Sequence, residues 1–445
     1  MLAQSLLALA LLPNPAQAFC GTYVAGAGAD IYNSVSQVAL VRQGTRTTLS
    51  VANDVQGDFD NFAMLVPVPE VLGQDDIHTL DADIFDRLDR YSRPRLVRYD
   101  CEDFEYEGDT DTDGDSDTDA DADADDTGVV IEAEYVVGEY QIVILSATQS
   151  GALVSWLNDH DYAVPQATEN VLTEYIEGGS YFFAAQVNED AGIQPGDTLS
   201  PLQFSYDSDI YSLPIRIGTA SAKEMQDLIV YGINNYSDGK LGISNYPEVQ
   251  VEDECLWKSD GEEFGAFYNS QFTTAYDGTE GAAWATEYAW GAAGCDPCEG
   301  PPPEDVDLIS LGYDQSLAGE DRTIWDVYFT RLHMRYAPDE ATTDVVLYHS
   351  HITSQEQQRY VEYAHELEDR FPICGLGWAD DPGSCDPDDE DPDDEDPTDG
   401  DDDDDDDDSD SDETSKGCAC GSAVAPGSLM VLSLIGLVGV ARRRA

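Results

Sequence analysis

Three groups of residues have the types and spacing that could do chemistry. Cys295-Asp296-Pro297-Cys298 sets two thiols three positions apart, close enough to form a small disulfide. Such a pair becomes redox-active where a helix N-terminus stabilises the first thiolate. That context is not read around it: no buried strand is expected to lead into the motif, and Gly300-Pro301-Pro302-Pro303 stands where the helix would begin. A structural disulfide, or two separate pairings, is the expectation. His349-Ser350-His351 follows a strand, and alternation would put both imidazoles on one face about 7 Å apart, within reach of a metal ion. His365, on a helix expected to follow, would be the third ligand. The plainer reading is two polar surface residues at a strand end. His365-Glu366 falls short of the zinc-protease signature, because Asp369 stands where a second histidine is needed.

The third group is Asp109, Asp111, Asp113 and Gly114, continued by Asp115 and Asp117. Alternating carboxylates with glycine in sixth place are how calcium loops begin. Ala120 occupies the twelfth place and has no carboxylate, which excludes an EF-hand and leaves only weak Ca2+ binding by several ions. The plainer reading is a solvated, disordered insertion. No other cofactor is implied. The chain has no Gly-x-Ser-x-Gly elbow and no phosphate loop, and Gly26-Ala27-Gly28 lacks its third glycine, since Ile31 stands there.

The 445 residues include 20 basic and 92 acidic ones, a formal net charge of −72. Phosphate and anionic membrane surfaces would repel such a chain, so nucleic acid is excluded as a partner. Residues 102–126 hold 14 of the carboxylates and residues 380–413 hold 23. The rest is still strongly acidic and poor in lysine, which fits a surface kept soluble in salty water. The second run, punctuated by Pro382, Pro387, Pro392 and Pro397, reads as a self-repelling spacer of up to about 110 Å.

The ends carry addresses. Leu6 to Leu12 is apolar, Pro13 and Pro15 break it, and Ala16-Gln17-Ala18 follows. This reads as a secretory signal peptide cleaved before Phe19, though no Lys or Arg precedes the apolar stretch. Phe19 stands where a lipoprotein signal requires a small residue, so Cys20 is not read as lipidated. At the other end, Cys418 and Cys420 precede an apolar stretch from Val424 to Ala441 and then Arg442, Arg443 and Arg444. Eighteen residues span about 27 Å as a helix, enough to cross a bilayer with the arginines left in the cytoplasm. This order of features resembles the MYXO-CTERM sorting tail of myxobacteria. That resemblance implies a membrane sorting protease as partner, cleavage near the cysteines, and retention at the cell surface through a lipid on Cys418 or Cys420. The alternative is a plain tail anchor.

An exported chain with nine cysteines invites pairing. With Cys418 and Cys420 assigned to the tail, Cys20, Cys101, Cys255, Cys295, Cys298, Cys374 and Cys385 remain, so one stays single. Cys20 and Cys101 bracket the first block and are the expected staple, a loop of about 80 residues that would contribute a few kcal/mol.

Positioning elements are read from periodicity. Strands are expected over Val38 to Asn53, turning at Gln43-Gly44, and over Phe62 to Pro69, Tyr140 to Ser146, Tyr181 to Val187, Tyr211 to Ile217, Asp227 to Ile233 and Asp344 to Tyr348. Helices are expected over Ile84 to Tyr91, Ser150 to Asp159, Asn170 to Ile176 and Gln355 to Arg370. Trp325 to Tyr336 fits either. The sum is an α+β fold with mixed, largely antiparallel sheets and a few packed helices.

Phe19-Cys20-Gly21 with Tyr23-Val24, then QVALVRQGTRTTLSVAND, FAMLVPVPEVL, DIFDRLDRYSRPRLVRY, GIQPGDTLSPLQFSYDSDIYSLPIRIG, QDLIVY and the Cys295–Cys298 segment together resemble the exported bacterial family DUF2330, from about residue 19 to about residue 350. The family has no established activity, so the resemblance implies a fold and an address. The chain departs from the pattern in the acidic insertion after Cys101 and in the part after His351. The expected organisation is signal peptide 1–18, a β-rich first part 19–101, acidic insertion 102–128, an α+β remainder 129–378, acidic stalk 379–416 and sorting tail 417–445. The expected function is a non-catalytic surface or envelope protein, anchored in the membrane through its tail and acting on an unidentified envelope or extracellular partner. Two alternatives stay open: a thiol–disulfide or metal-dependent envelope enzyme, and a calcium-responsive adhesion module.

Overall fold

The computed structural model describes residues 22–25, 36–52, 62–99, 129–160, 166–188, 191–192, 199–220, 222, 224–298, 300–314 and 324–380. Residues 1–18, expected to form the signal peptide, Cys20, Cys101, the acidic insertion, the acidic run from residue 381, Cys385 and the expected tail with Cys418 and Cys420 lie outside the described residues.

The largest sheet has eight strands in the order β18 (Glu356–Gln357), β15 (Ala283–Gly291), β16 (Val327–Tyr336), β12 (Gln226–Asn235), β2 (Ser36–Gln43), β3 (Arg46–Val51), β10 (Leu202–Asp207) and β5 (Ile77–Thr79). All its pairings are antiparallel except β12 with β2. β2 and β3 form the expected hairpin, and Gly44 supplies the positive φ of 65° that the two-residue turn needs. A second sheet runs β1 (Thr22–Ala25), β4 (Phe62–Val68), β9 (Tyr181–Val187), β8 (Tyr140–Ala147) and β7 (Val129–Val137). Two three-stranded sheets complete the fold. One joins β11 (Ser212–Leu213), β17 (Val345–His349) and β13 (Leu241–Ile243), and the other β14 (Leu256–Trp257), β19 (Arg359–Glu362) and β6 (Arg95–Val97).

Alternation along the strands generates the layers. Val38, Leu40, Leu228, Val230, Leu332 and Met334 point from the large sheet into one core with Met64, Val66, Ile142, Ile144, Phe183 and Ala185 of the five-stranded sheet. The opposite face of the large sheet, carrying Val41, Ile229, Ile233 and Phe329, is covered by α1 (Ile84–Ser92) and α6 (Asp305–Ser310) through Phe85, Leu88 and Leu308. Further along that face lies α5 (Phe264–Asp277), seated through Phe272 and Tyr276. The outer face of the smaller sheet is covered by α2 (Ser150–Asp159), α3 (Gln166–Glu177) and the one-turn α4 (Arg216–Thr219), through Leu153, Leu157, Leu172 and Ile217. The fold is α+β, two sheets face to face with helices outside both.

One open reading is resolved as a strand, and two expectations change. All ten residues of β16 are buried, because both faces of its sheet are covered, and this hid the strand from its hydropathy. Only Ser212 and Leu213 of the expected strand from Tyr211 to Ile217 are in a strand. Pro214, which has no N–H to donate, ends it, and a helical turn follows. The helix expected from Gln355 to Arg370 is replaced by β18, β19 and a 3-10 turn at His365–Leu367. Tyr360 and Val361 are fully buried in β19, which is paired in parallel with β14 on one side and β6 on the other. That pairing satisfies the backbone and overrides the helical spacing.

Candidate functional site

Among the described residues, a cluster of interacting ionisable side chains lies between the large sheet and α5. Its centre is the alternating run Arg331-Leu332-His333-Met334-Arg335 of β16: the leucine and methionine enter the core between the sheets, and the three cations face α1 and α5. Carboxylates meet them from three neighbouring elements. Asp227 comes from β12 and Asp89 from α1. Glu287 comes from β15, where the register shifts between Thr286 and Tyr288. This bulge lets both Glu287 and Tyr288 face the helices, breaking the alternation that would send one of them away.

His333 is held at both ring nitrogens, with Nδ1 2.7 Å from Glu287 Oε1 and Nε2 2.9 Å from Asp227 Oδ1. Arg331 Nε donates to Glu287 Oε2 at 2.5 Å and its Nη1 to Asp89 Oδ1 at 2.6 Å. Arg335 takes Asp227 with two nitrogens, at 2.7 and 3.0 Å, and Thr273 and Asn269 of α5 with the other donors. Tyr268 donates to Glu287 Oε1 at 2.6 Å. Phe272 stacks on the imidazole at a centroid distance of 4.0 Å. Burial disfavours the imidazolium, but Glu287 and Asp227 outweigh it and hold the histidine up at about 9. Burial would likewise raise Glu287, yet Arg331 and His333 hold it down at about 2, and Asp227 is held below the usual carboxylate range despite its burial by His333 and Arg335. Three cations therefore face three anions in an electrically balanced network, with Arg331, His333, Arg335 and Glu287 buried and Asp89 and Asp227 partly so. The imidazole has no free nitrogen and one covered face, so it is not placed to exchange a proton with a substrate.

None of these six charged residues stood out in the sequence. The available signal was the period-two alternation of charge and apolar residue from Arg331 to Arg335, in a stretch whose element type was left open.

The residues that did stand out are dispersed. His349 ends β17 with its ring against Tyr211, at a centroid distance of 5.5 Å. His351 lies beyond the strand at a positive φ of 56°, its Nδ1 3.3 Å from Ser237 O. His365 sits in the 3-10 turn beside Glu368, so the helix that was to bring it to the other two is absent. Among the described residues no group of three or more His, Cys, Asp or Glu side chains is placed to hold a metal ion. Asp109, Asp111 and Asp113 lie outside them.

Four cysteines form two contrasting disulfides. Cys255 and Cys374 are 119 residues apart with Cα atoms 4.9 Å apart. Cys255 is fully buried, and its carbonyl accepts a hydrogen bond from Val361 N of β19. This bond fastens the last described segment to the body, as do the bidentate Arg98–Glu362 pair and the ion pair of Lys240 with Glu356. Cys295 and Cys298 are bonded to each other in the loop that leaves β15, with Cys295 half-buried and Cys298 exposed. The missing helix N-terminus is as expected, since α6 begins only at Asp305. The missing strand is corrected: β15 is almost entirely buried and runs into this loop. Its alanines, glutamate and terminal glycine have low strand propensity, which concealed it.

Among the described residues no helix is long and apolar enough to cross a membrane. The family described as "Uncharacterized protein conserved in bacteria (DUF2330)" matches residues 14–348, three quarters of the chain, and the chain belongs to it. No curated protein and no solved structure matches. The match stops at 348, but β18 and β19 lie beyond it and complete two of the sheets.

Proposed function

We propose that this DUF2330 protein is exported, held at the cell surface on its acidic stalk, and acts there by binding. The observation that carries the reading is the Cys255–Cys374 bond, which closes off the folded part a few residues before the acidic run. A buried disulfide joining distant segments fits an oxidising compartment outside the cytoplasm, and its position suits a body that must stay intact at the head of a tether. The signal sequence ending at Ala18 and the tail from Gly417 with its MYXO-CTERM-like order support the same address. In this reading the stalk spans about residues 379–416, a membrane protease processes the tail, and a lipid on Cys418 or Cys420 retains the product. The mutual hydrogen bonding of His333, Glu287 and Asp227, which occupies both imidazole nitrogens, favours a binding role over acid–base catalysis.

The test is peptide mapping of protease-shaved cells alongside a cytosolic fraction. The expected result is folded-part peptides released from intact cells, a mature chain starting at Phe19, and no peptide from Val424 to Arg444. Intact chain confined to the cytosol, with Met1 attached, would end this reading.

A further inference from the structure

We propose that the Cys295–Cys298 disulfide is an exchange site for cysteine thiols, through which the protein forms a reversible covalent bond with a thiol-bearing partner. Two observations carry it, the asymmetry of the pair and the way its loop is held. Cys298 is exposed, whereas Cys295 is half-buried against the core that contains Tyr91 and Tyr288. An incoming thiolate therefore meets the Cys298 sulfur first.

The loop does not depend on the disulfide for its shape, because side chains hold its carbonyls. Tyr91 OH lies 2.8 Å from Ala292 O and 2.9 Å from Gly294 O, and Tyr288 OH donates to Gly294 O at 2.7 Å. Arg95 Nη1 donates to Pro297 O at 2.7 Å, and Gln357 Nε2 reaches Asp296 O and Pro297 O at 3.3 and 3.2 Å. The S–S bond can therefore open while the two cysteines stay positioned to close it again. Arg95, a residue 2% exposed, also sets its positive charge against the Pro297 carbonyl between the two cysteines, where it would favour a released thiolate.

The chemistry balances without an external oxidant. The partner's thiolate attacks Cys298 Sγ, the Cys295–Cys298 bond breaks, a partner–Cys298 disulfide forms, and Cys295 leaves as a thiolate. Attack by Cys295 on Cys298 Sγ reverses the step and releases the partner unchanged. A second thiol on the partner can instead displace Cys298, so that the partner is oxidised to a disulfide and the pair is reduced to two thiols. Neither route uses the address of the protein, so the proposal stands apart from export.

The test treats the folded full-length protein with two probes, reduced glutathione and a reduced unfolded protein containing cysteine, followed by acid quench, alkylation and non-reducing peptide mapping. Adducts are expected on Cys298 with Cys255–Cys374 intact. In Cys295→Ser, where Cys298 is a lone thiol, the reduced probes should give no adduct, whereas glutathione disulfide should load Cys298 with a mixed disulfide that persists for want of a resolving thiol. The ratio of the two rates distinguishes a small thiol from a protein thiol as the source. Arg95→Gln should slow the reaction about threefold, as expected for a loss of roughly one unit in thiolate stabilisation, and Arg95→Lys should restore it. Adducts that appear only in denaturant, in step with loss of the Cys255–Cys374 bond, would overturn the proposal, as would adducts confined to Cys295.

Discussion

One strand, β15, carries two regions rich in chemistry, and they are treated in opposite ways. In its middle Glu287 is fully committed, with Arg331, His333 and Tyr268 around one buried carboxylate. At its exit the protein grips the backbone, and the carbonyls of residues 292, 294, 296 and 297 take the hydrogen bonds while the Cys298 sulfur is left exposed. Where reactive side chains satisfy one another, their chemistry is consumed in holding the sheet to α1 and α5. Where the main chain is satisfied, the side chain remains free to react. A perturbed pKa alone would have pointed to His333, but accessibility separates the two regions.

The comparison is sharpened most by the other disulfide, which is neither open nor charged. The Cys255–Cys374 bond spans 119 residues, and constraint of the unfolded chain by so long a loop contributes about 5 kcal/mol in the chain-entropy description. The double variant Cys255→Ser/Cys374→Ser should therefore show the largest fall in stability, read as the urea midpoint of the purified protein. Protease cleavage should then begin between β19 and Ala379. An unchanged midpoint would mean that β14 and β6 hold the last segment without it.

Next in size is the charged network. Glu287→Gln keeps the shape of the side chain but leaves Arg331 and His333 short of a buried counter-charge, a loss of about 3–5 kcal/mol. If the loss measured by denaturation is below about 1 kcal/mol, the network is wetter than its geometry indicates, and the contrast with the loop fails.

The same network sets a pH window. His333 is held at about 9, above the ordinary histidine value of 6.5, so its ion pairs contribute fully below about pH 6.5 and are lost as pH rises through about 9. The melting temperature should fall over that interval, and His333→Gln should flatten the fall. Asp227 and Glu287 are held low, so their contribution is present above about pH 4 and is lost only as the pH drops far below it. Melting curves from pH 6 to 9.5 that ran parallel for the two proteins would assign the slope to other groups.

Much of this architecture was legible and much of the site was not, for reasons particular residues make plain. The β2–β3 hairpin, β8 and α1 follow from local patterns: a glycine turn between β-branched runs, the apolar run YQIVILS, and the spacing of Ile84, Leu88 and Tyr91. β19 was hidden, because Tyr360 and Val361 are buried by partners at residues 95–97 and 256–257, far away in sequence. The network was hidden for the same reason: Asp89, Asp227, Glu287 and Arg331 come from four elements, and only the tertiary fold makes them neighbours. Cys295 and Cys298 were visible at once, but their local spacing could not reveal that Tyr91 would hold the backbone before them and Arg95 and Gln357 the backbone between them.

The smallest effect is expected where the chemistry is most exposed. A disulfide closing a loop of four residues removes little freedom from the unfolded chain, about 2 kcal/mol by the same entropy relation that gives about 5 for the long loop. Side-chain hydrogen bonds already hold the 292–297 carbonyls in the folded state, so opening the bond should not release that segment. Cys295→Ser/Cys298→Ser should therefore lower the urea midpoint by less than half the shift seen for Cys255→Ser/Cys374→Ser, and should leave amide exchange in β15 unchanged. The outcome separates two roles for one bond. A loss as large as that of the long-range disulfide, with faster exchange spreading into β15, would make Cys295–Cys298 a structural clasp; a small loss confined to the loop leaves the bond free to open and close while the sheet behind it stays folded.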